Sequence, residues 1–192
     1  LKPDLVFSGF DIGANFAAAV VGAHMNIHVA HLEGGEITGT IDESIRHAIS
    51  KFAHIHFTSN EQATKRLIKM GESSKNIFTV GNPSLDVIKS IKFISKKELE
   101  KEFNINLEKP LLLIVQHTVT TEINEIDKYF LETINAIKET NHQAIIISGN
   151  SDAGSQKIKK IIKNSNILNY ENLPFVKYIS LLHHSSAIIG NS

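Results

Sequence analysis

"IHVAHLEGGEITGTIDESIRHAISKFAHIHFTS", residues 27–59, contains one complete unit of the architecture. "IHVAHL" is β-rich and runs into the glycine-rich loop "EGGE". "DESIRHAISKFA" then places Ile45, Ala48, Ile49 and Phe52 at helical spacing, and "HIHFTS" returns to a short strand. A strand, a helix and a strand joined by short loops form the βαβ unit of a parallel sheet. Thr40 followed by Glu43 has the spacing of a capping box and predicts a helix over 41–53. Asp42 falls in the first turn of that helix, where the dipole favours a negative charge. Glu33 follows directly on a strand, beside glycines that let backbone approach a ligand.

The same alternation extends in both directions. "DLVFSG" reads as a strand and "NFAAAVVGAHMN" as a helix, while "EQATKRLIKMG" and "NIFTVGNP" continue the pattern beyond residue 59. Residues 89–109, "KSIKFISKKELEKEFNINLEK", are rich in Lys and Glu with few core positions, and predict a solvated helix and linker. "PLLLIVQHT" is a buried strand, "TEINEIDKYFLETINAIKET" a long amphipathic helix, and "QAIIISGN", "SQKIKKIIKNS", "FVKYISLLHHSS" and "AIIGNS" complete the run. The expected organisation is two α/β units, residues 1–90 and 109–192, joined by 91–108. The chain opens on "LKPDLVFSG" and closes on a strand running into Gly-Asn-Ser, so an internal fragment is expected.

Composition narrows the chemistry. Twenty basic and twenty acidic residues balance, which gives no electrostatic reason to expect nucleic acid or a membrane surface as partner. The absence of Cys excludes disulfides, thiolate nucleophiles and Cys-based zinc sites, and agrees with a cytoplasmic protein. No apolar run approaches the roughly 20 residues of a membrane-spanning helix.

Ligands of open α/β sheets sit beyond the carboxyl ends of the strands. Those exits carry Asp11, Glu33, His117, the loop with Asn150, Asp152 and Ser155, and Ser192. Asp11 and Glu33 leave successive strands and are expected to be near neighbours, a pair of carboxylates able to divide acid and base roles. His117 leaves a buried strand at a ligand-facing exit and suits acid–base work or phosphate contact. "SGNSDAGS" and the terminal "GNS" have the small residues of phosphate or sugar loops. The ten histidines do not make a metal site: His28 and His31 alternate across a strand, and no HExxH-type ligand set occurs. His183 and His184 end an amphipathic helix, where cations suit the dipole.

Taken together, "HLEGGEITGTIDESIRHAISKFAHIHFTS", "VGNPSLDVI", "QHTVTTE", "SGNSDAGS" and "IIGNS" resemble the UDP-N-acetylglucosamine 2-epimerase family, most closely its hydrolysing branch in sialic and nonulosonic acid synthesis. The resemblance implies two Rossmann-like domains in a GT-B-like arrangement, both incomplete here, with a nucleotide sugar as substrate. It implies elimination of UDP across C1–C2, then addition of water with inversion at C2, without metal or redox cofactor, in a homo-oligomer. It gives Asp11, Glu33 and Asp42 the acid–base steps, and His117 a contact near the phosphates or reacting sugar. Asn150, Asp152 and Ser155 fall to the sugar-facing loop, and Ser192 to the diphosphate turn. Thr40 and Glu43 hold the helix that aims Asp42, and Glu36 has no role assigned. Two positions depart from the family's Gly-Asp-Arg exit, which here reads Phe10-Asp11-Ile12, and Thr118 replaces a usual Pro. The alternatives are a related epimerase acting on a 2,4-diacetamido or GDP-linked sugar, a glycosyltransferase of similar build, and a non-catalytic nucleotide-sugar-binding domain. The isolated chain is expected to be inactive.

Overall fold

The computed structural model describes residues 2–149 and 154–191. The chain divides into two compact units, Leu1–Ser90 and Ile91–Ser192. Each is built on its own four-stranded parallel sheet.

In the first unit β1 (Leu5–Gly9), β2 (His28–Leu32), β3 (Ile55–Thr58) and β4 (Ile77–Thr79) lie side by side in chain order. They are joined by α1 (Gly13–His24), α2 (Ile41–Phe52) and α3 (Glu61–Lys69), and α4 (Pro83–Ser90) follows. Right-handed crossovers that always step the same way place every connecting helix on one face. That face carries Val6 and Val29, which pack with Ala19, Phe16, Ile49 and Phe52. By alternation and register it also carries His31, His56 and Thr58. The opposite face carries Phe7, Phe57 and Phe78, whose rings lie 5.8 and 5.9 Å apart across the strands. Phe7 and Phe78 on that face stay 59% and 49% exposed.

The second unit is doubly wound. β5 (Leu111–Val115), β6 (Gln143–Ile147), β7 (Leu168–Tyr170) and β8 (Ala187–Gly190) are ordered β7-β6-β5-β8. α6 (Ile126–Thr140) and α7 (Ser155–Lys163) bury Ile126, Phe130, Ile134, Ile158 and Ile162 against Leu112, Ile114 and Ile146. α5 (Lys96–Phe103) and α8 (Phe175–His184) cover the other face, where Leu99, Phe103 and Leu181 meet Leu111, Leu113 and Ile145. The strand order reverses between β5 and β8, which makes that junction the switch point at which such sheets bind ligands. β8 ends the sheet with Ile188 and Ile189 47% and 40% exposed.

Two features differ from the sequence reading. The Lys- and Glu-rich stretch is no solvated linker over its length. Leu99 and Phe103 are buried in the second unit, Ile94 donates its N–H to Ser180 Oγ at 3.0 Å, and Phe93 stacks on His183 at 4.2 Å. Only two apolar side chains of α5 face inward, one helical turn apart, so its composition is dominated by the face in water. β7 is the second feature: three residues in "NILNY" are too few to produce a readable alternation.

Candidate active site

At the carboxyl edge of the first sheet, Gly9 of β1 is paired with Leu32 of β2, so Asp11 and Glu33 leave adjacent strands. The structure does not join the two acids directly. Asp11 forms its ion pair with the guanidinium of Arg46 on α2, with both side chains mostly buried. Arg46 Nη1 also donates to the carbonyl of Glu36 at 3.0 Å. Asp42 stands one helical turn before Arg46 on the same helix, which places it on the same side. Its carboxylate accepts from Thr40 Oγ1 at 3.1 Å. Arg46 thus holds Asp11 and the main chain of Glu36 together, a partner that the acids at the strand exits do not announce. The signal the sequence does carry is its spacing of four from Asp42.

Phe10, at the family's Gly position, has φ 59 and a side chain 61% exposed. A left-handed φ costs an L residue roughly 1–2 kcal/mol, and Gly gives back about 0.4–1 kcal/mol through the freer unfolded chain. Phe10→Gly is therefore expected to raise stability by roughly 0.5–1 kcal/mol, read as a higher urea midpoint at unchanged m-value. Ile12, at the Arg position, is the N-cap of α1, and its side chain is 56% exposed.

The loop after β2 is strapped on every side. Glu33 has φ 62, and its N–H donates to the carbonyl of Phe57 at 2.8 Å. Arg66 of α3 donates to the carbonyl of Gly35. The Glu36 carboxylate accepts from Ser59 Oγ, and from Asn60 Nδ2 at 2.6 Å. The glycines here do more than leave room for a ligand. A Cβ on Gly35, at φ 86, would stand 2.5 Å from the Ala63 carbonyl oxygen, and one on Gly34 would stand 2.7 Å from His31 Nδ1. Both are required where the loop presses against α3 and against His31.

Thr40 is the N-cap residue of α2, but the capping box expected of Thr40 and Glu43 does not form. Glu43 Oε2 accepts instead from the N–H groups of Thr38 and Gly39, each at 2.8 Å. The N–H of Gly39 and then that of Thr38 hold the Glu43 carboxyl below its ordinary range. The turn before the helix offers two converging donors, which outcompete the single N–H of Thr40. A capping box does form at Ser95 and Glu98 of α5.

His31 is fully buried, with Nδ1 3.0 Å from Ser50 Oγ, and Ser50 donates to the carbonyl of Arg46 at 3.1 Å. His28 points to the opposite face and is exposed. Burial first, then the neighbouring His56 and Arg46, lower the His31 pKa from 6.5 to about 3. His56, its cross-strand neighbour, is also lowered by burial and approaches Glu72 at 3.5 Å. Among the described residues no cluster of three His, Asp or Glu is arranged to hold a metal ion.

A histidine with a depressed folded-state pKa contributes its full stability above pH 6.5 and loses it as pH falls toward 3. Between pH 7 and pH 5 the proton taken up by unfolded His31 is expected to cost about 2 kcal/mol. Urea melts at both pH values should show this drop, and His31→Asn should flatten it while lowering stability at pH 7.

In the second unit His117 stands at the switch point. Its N–H donates to Asn191 Oδ1 at 2.8 Å and its carbonyl accepts from Asn191 Nδ2 at 3.1 Å, which ties the exits of β5 and β8 together. A cavity of about 260 Å³ opens there, lined by Gln116, His117, Tyr129, Thr133 and Asn191 among others. Asn191, a turn residue by its sequence, is the brace of the site through this reciprocal pairing. Thr118 is buried, and its hydroxyl lacks a partner among the described residues. Ser155 opens α7 and is buried, behind Gly154 at φ 91. Asn150, Asp152 and Ser192 lie outside the described residues.

A strand exit whose acid is paired to an arginine in one parallel unit, and a braced histidine at a switch point in the other, define a Rossmann-like α/β protein with polar groups at the carboxyl ends of its strands. Comparison with known proteins carries this further. The family model described as UDP-N-acetylglucosamine 2-epimerase matches residues 1–192, and the chain belongs to that family. It is 37% identical over 194 residues to a UDP-N,N'-diacetylbacillosamine 2-epimerase (hydrolyzing) of Legionella pneumophila, covering 99% of this chain and 52% of the relative. It is 38% identical over 202 residues to a GDP/UDP-N,N'-diacetylbacillosamine 2-epimerase (hydrolyzing) of Campylobacter jejuni, covering 100% of this chain and 52% of that protein. The crystal structure of UDP-GlcNAc 2-epimerase from Neisseria meningitidis bound to UDP-GlcNAc superposes with a TM-score of 0.83 at 22% identity, covering 100% of this chain and 55% of that one. The chain spans about half the length of the curated relatives it matches.

Proposed function

We propose that the complete gene product is a hydrolysing 2-epimerase of a nucleotide-linked 2-acetamido sugar, with UDP-N-acetylglucosamine as substrate. What supports this reading is that Asp11 and Glu33 leave adjacent strands of one sheet, with Asp11 paired to Arg46, in a chain matched end to end by the epimerase family model. A carboxylate removes the proton at C2, and the C1–O bond breaks with both electrons leaving on UDP, giving a 2-acetamidoglycal. Water then adds its oxygen to C1, and a proton is delivered to C2 from the opposite face, giving N-acetylmannosamine. Each step needs one group to take a proton and another to give one, which three carboxylates at one edge supply. His117 and the switch-point cavity would receive the phosphates or sugar, with Asn150, Asp152, Ser155 and Ser192 completing that site. The two units are then parts of the family's two nucleotide-sugar domains. Supply of sialic or related nonulosonic acids, a cytoplasmic location and homo-oligomerisation belong to the same reading. Among the described residues no helix is long and apolar enough to cross a membrane.

A second substrate is favoured by a specific observation: both relatives above are named for diacetylbacillosamine, a 2,4-diacetamido sugar. The same acids would serve it. A glycosyltransferase would have no use for three carboxylates flanking C1–C2, and a binding domain would retain the donor without turnover. The test is incubation of the complete gene product with UDP-N-acetylglucosamine in deuterated water, followed by NMR. Deuterium at C2 of released N-acetylmannosamine is the expected result. UDP release with the C2 proton retained would overturn epimerisation, and turnover of the diacetamido donor alone would move the assignment to the second substrate.

A further inference from the structure

Glu36 is the acid of the β2 loop that the reaction above leaves unused. Its surroundings are unusually specific for a loop residue. Asn60 caps α3 by accepting the N–H of Ala63 on Oδ1 at 2.9 Å, which fixes the orientation of its amide. Nδ2 is then committed as a donor, and it points at Glu36 Oε1 from 2.6 Å. Ser59 Oγ donates to the same oxygen. Position 36 therefore faces donors and calls for an acceptor. The main chain of the same residue performs the opposite task, since its carbonyl receives Arg46 Nη1 at 3.0 Å while Arg46 Nη2 binds Asp11. One residue thus ties the turn between β3 and α3 to the arginine that pairs with Asp11.

We propose that Glu36 is a positioning residue: its carboxylate, anchored on Ser59 and Asn60, sets the carbonyl that holds Arg46 against Asp11 and keeps the Glu33 loop in register with α2. The inference rests on the proposed function only for its kinetic readout. Both donors converge on a single oxygen, so the carbonyl of a glutamine satisfies them, and neither the charge nor a proton of Glu36 is used.

The test uses the complete gene product. Glu36→Gln is expected to keep kcat within about threefold of the parent. Glu36→Ala is expected to lower kcat by about 10–100-fold, the effect of a misplaced catalytic group, with a smaller change in KM and an unshifted pH profile. Asn60→Asp keeps an oxygen for the α3 cap but turns an acceptor toward Glu36, and should reproduce the defect even if Glu36→Ala fails to fold. The double variant Glu36→Gln with Asn60→Asp restores a donor–acceptor pair of reversed direction and should recover activity. Glu36→Gln falling as far as Glu36→Ala would overturn the proposal in favour of direct proton transfer, and an unaffected Asn60→Asp would overturn it by showing the strap idle. If the parent turns over no donor, the proposed function fails while this inference is decided by NMR. The Arg46 guanidinium N–H resonance should be protected from exchange in the parent and Glu36→Gln and lose that protection in Asn60→Asp. Equal protection in all three would overturn it.

Discussion

Glu33→Gln is expected to abolish measurable incorporation of deuterium at C2 and to lower kcat by roughly 10²–10⁴-fold, the contribution of a positioned acid or base. Glutamine keeps the length and volume of the side chain but cannot take or return a proton at neutral pH. This substitution is cleaner than the corresponding change at Asp11, whose carboxylate also neutralises Arg46. Among the described residues Glu33 forms no ion pair, and its N–H contact to Phe57 is made by the main chain. Folding should therefore be unaltered. The backbone of Glu33 also sits at φ 62, a conformation that disfavours L residues and persists at sites where a side chain must be aimed. An unaltered melting curve with lost exchange would place Glu33 in the proton transfers. Full exchange activity in the variant would remove it from them.

The second large effect is structural. Gly35→Ala is expected to destabilise the first unit by roughly 2–5 kcal/mol, adding the left-handed backbone penalty to an overpacking cost. The atom it would meet is a main-chain carbonyl of α3, 2.5 Å from the new Cβ, so no side chain can turn aside to accommodate it. Gly71 supplies the internal control. Its φ of 95 is similar, but a Cβ there meets nothing within 4 Å, so Gly71→Ala reports the backbone term alone. Urea unfolding of both variants separates the two contributions. Equal losses would show that the loop and α3 part without cost, and would contradict the close packing described for the Glu33 loop. Against whole-domain stabilities of about 5–15 kcal/mol, the expected difference is large.

These two substitutions lie two residues apart, and they show which parts of the molecule were legible. The β2–α2–β3 unit could be read from residues 27–59 because helix and strand periods differ, and each hydrophobic stripe must face a core. Ile45, Ile49 and Phe52 pack where that spacing places them. The positions of Asp11, Glu33 and His117 at strand exits followed from the topology of parallel sheets, and the family resemblance rested on motifs visible in the chain. The inward face of α5 is not legible in the sequence, because two buried side chains in a charged helix carry too little periodic signal, although they seal one face of the second core.

Which groups bond to one another across the chain follows from the packing of distant segments. By strand order Asp11 neighbours Glu33, yet its carboxylate meets Arg46, because α2 folds back over the sheet and delivers a cation to that strand exit. Thr40 and Glu43 had the spacing of a capping box, but two N–H groups of the preceding turn claimed the carboxylate. Gly35 and Asn191 looked like turn residues, and their roles come from partners 28 and 74 positions away, Ala63 and His117. Sequence fixes periodicity and the chemistry each strand exit carries, since both are local. Hydrogen bonds and ion pairs between distant segments depend on how the chain is packed, and there the fold alone chose among partners that the sequence left equally available.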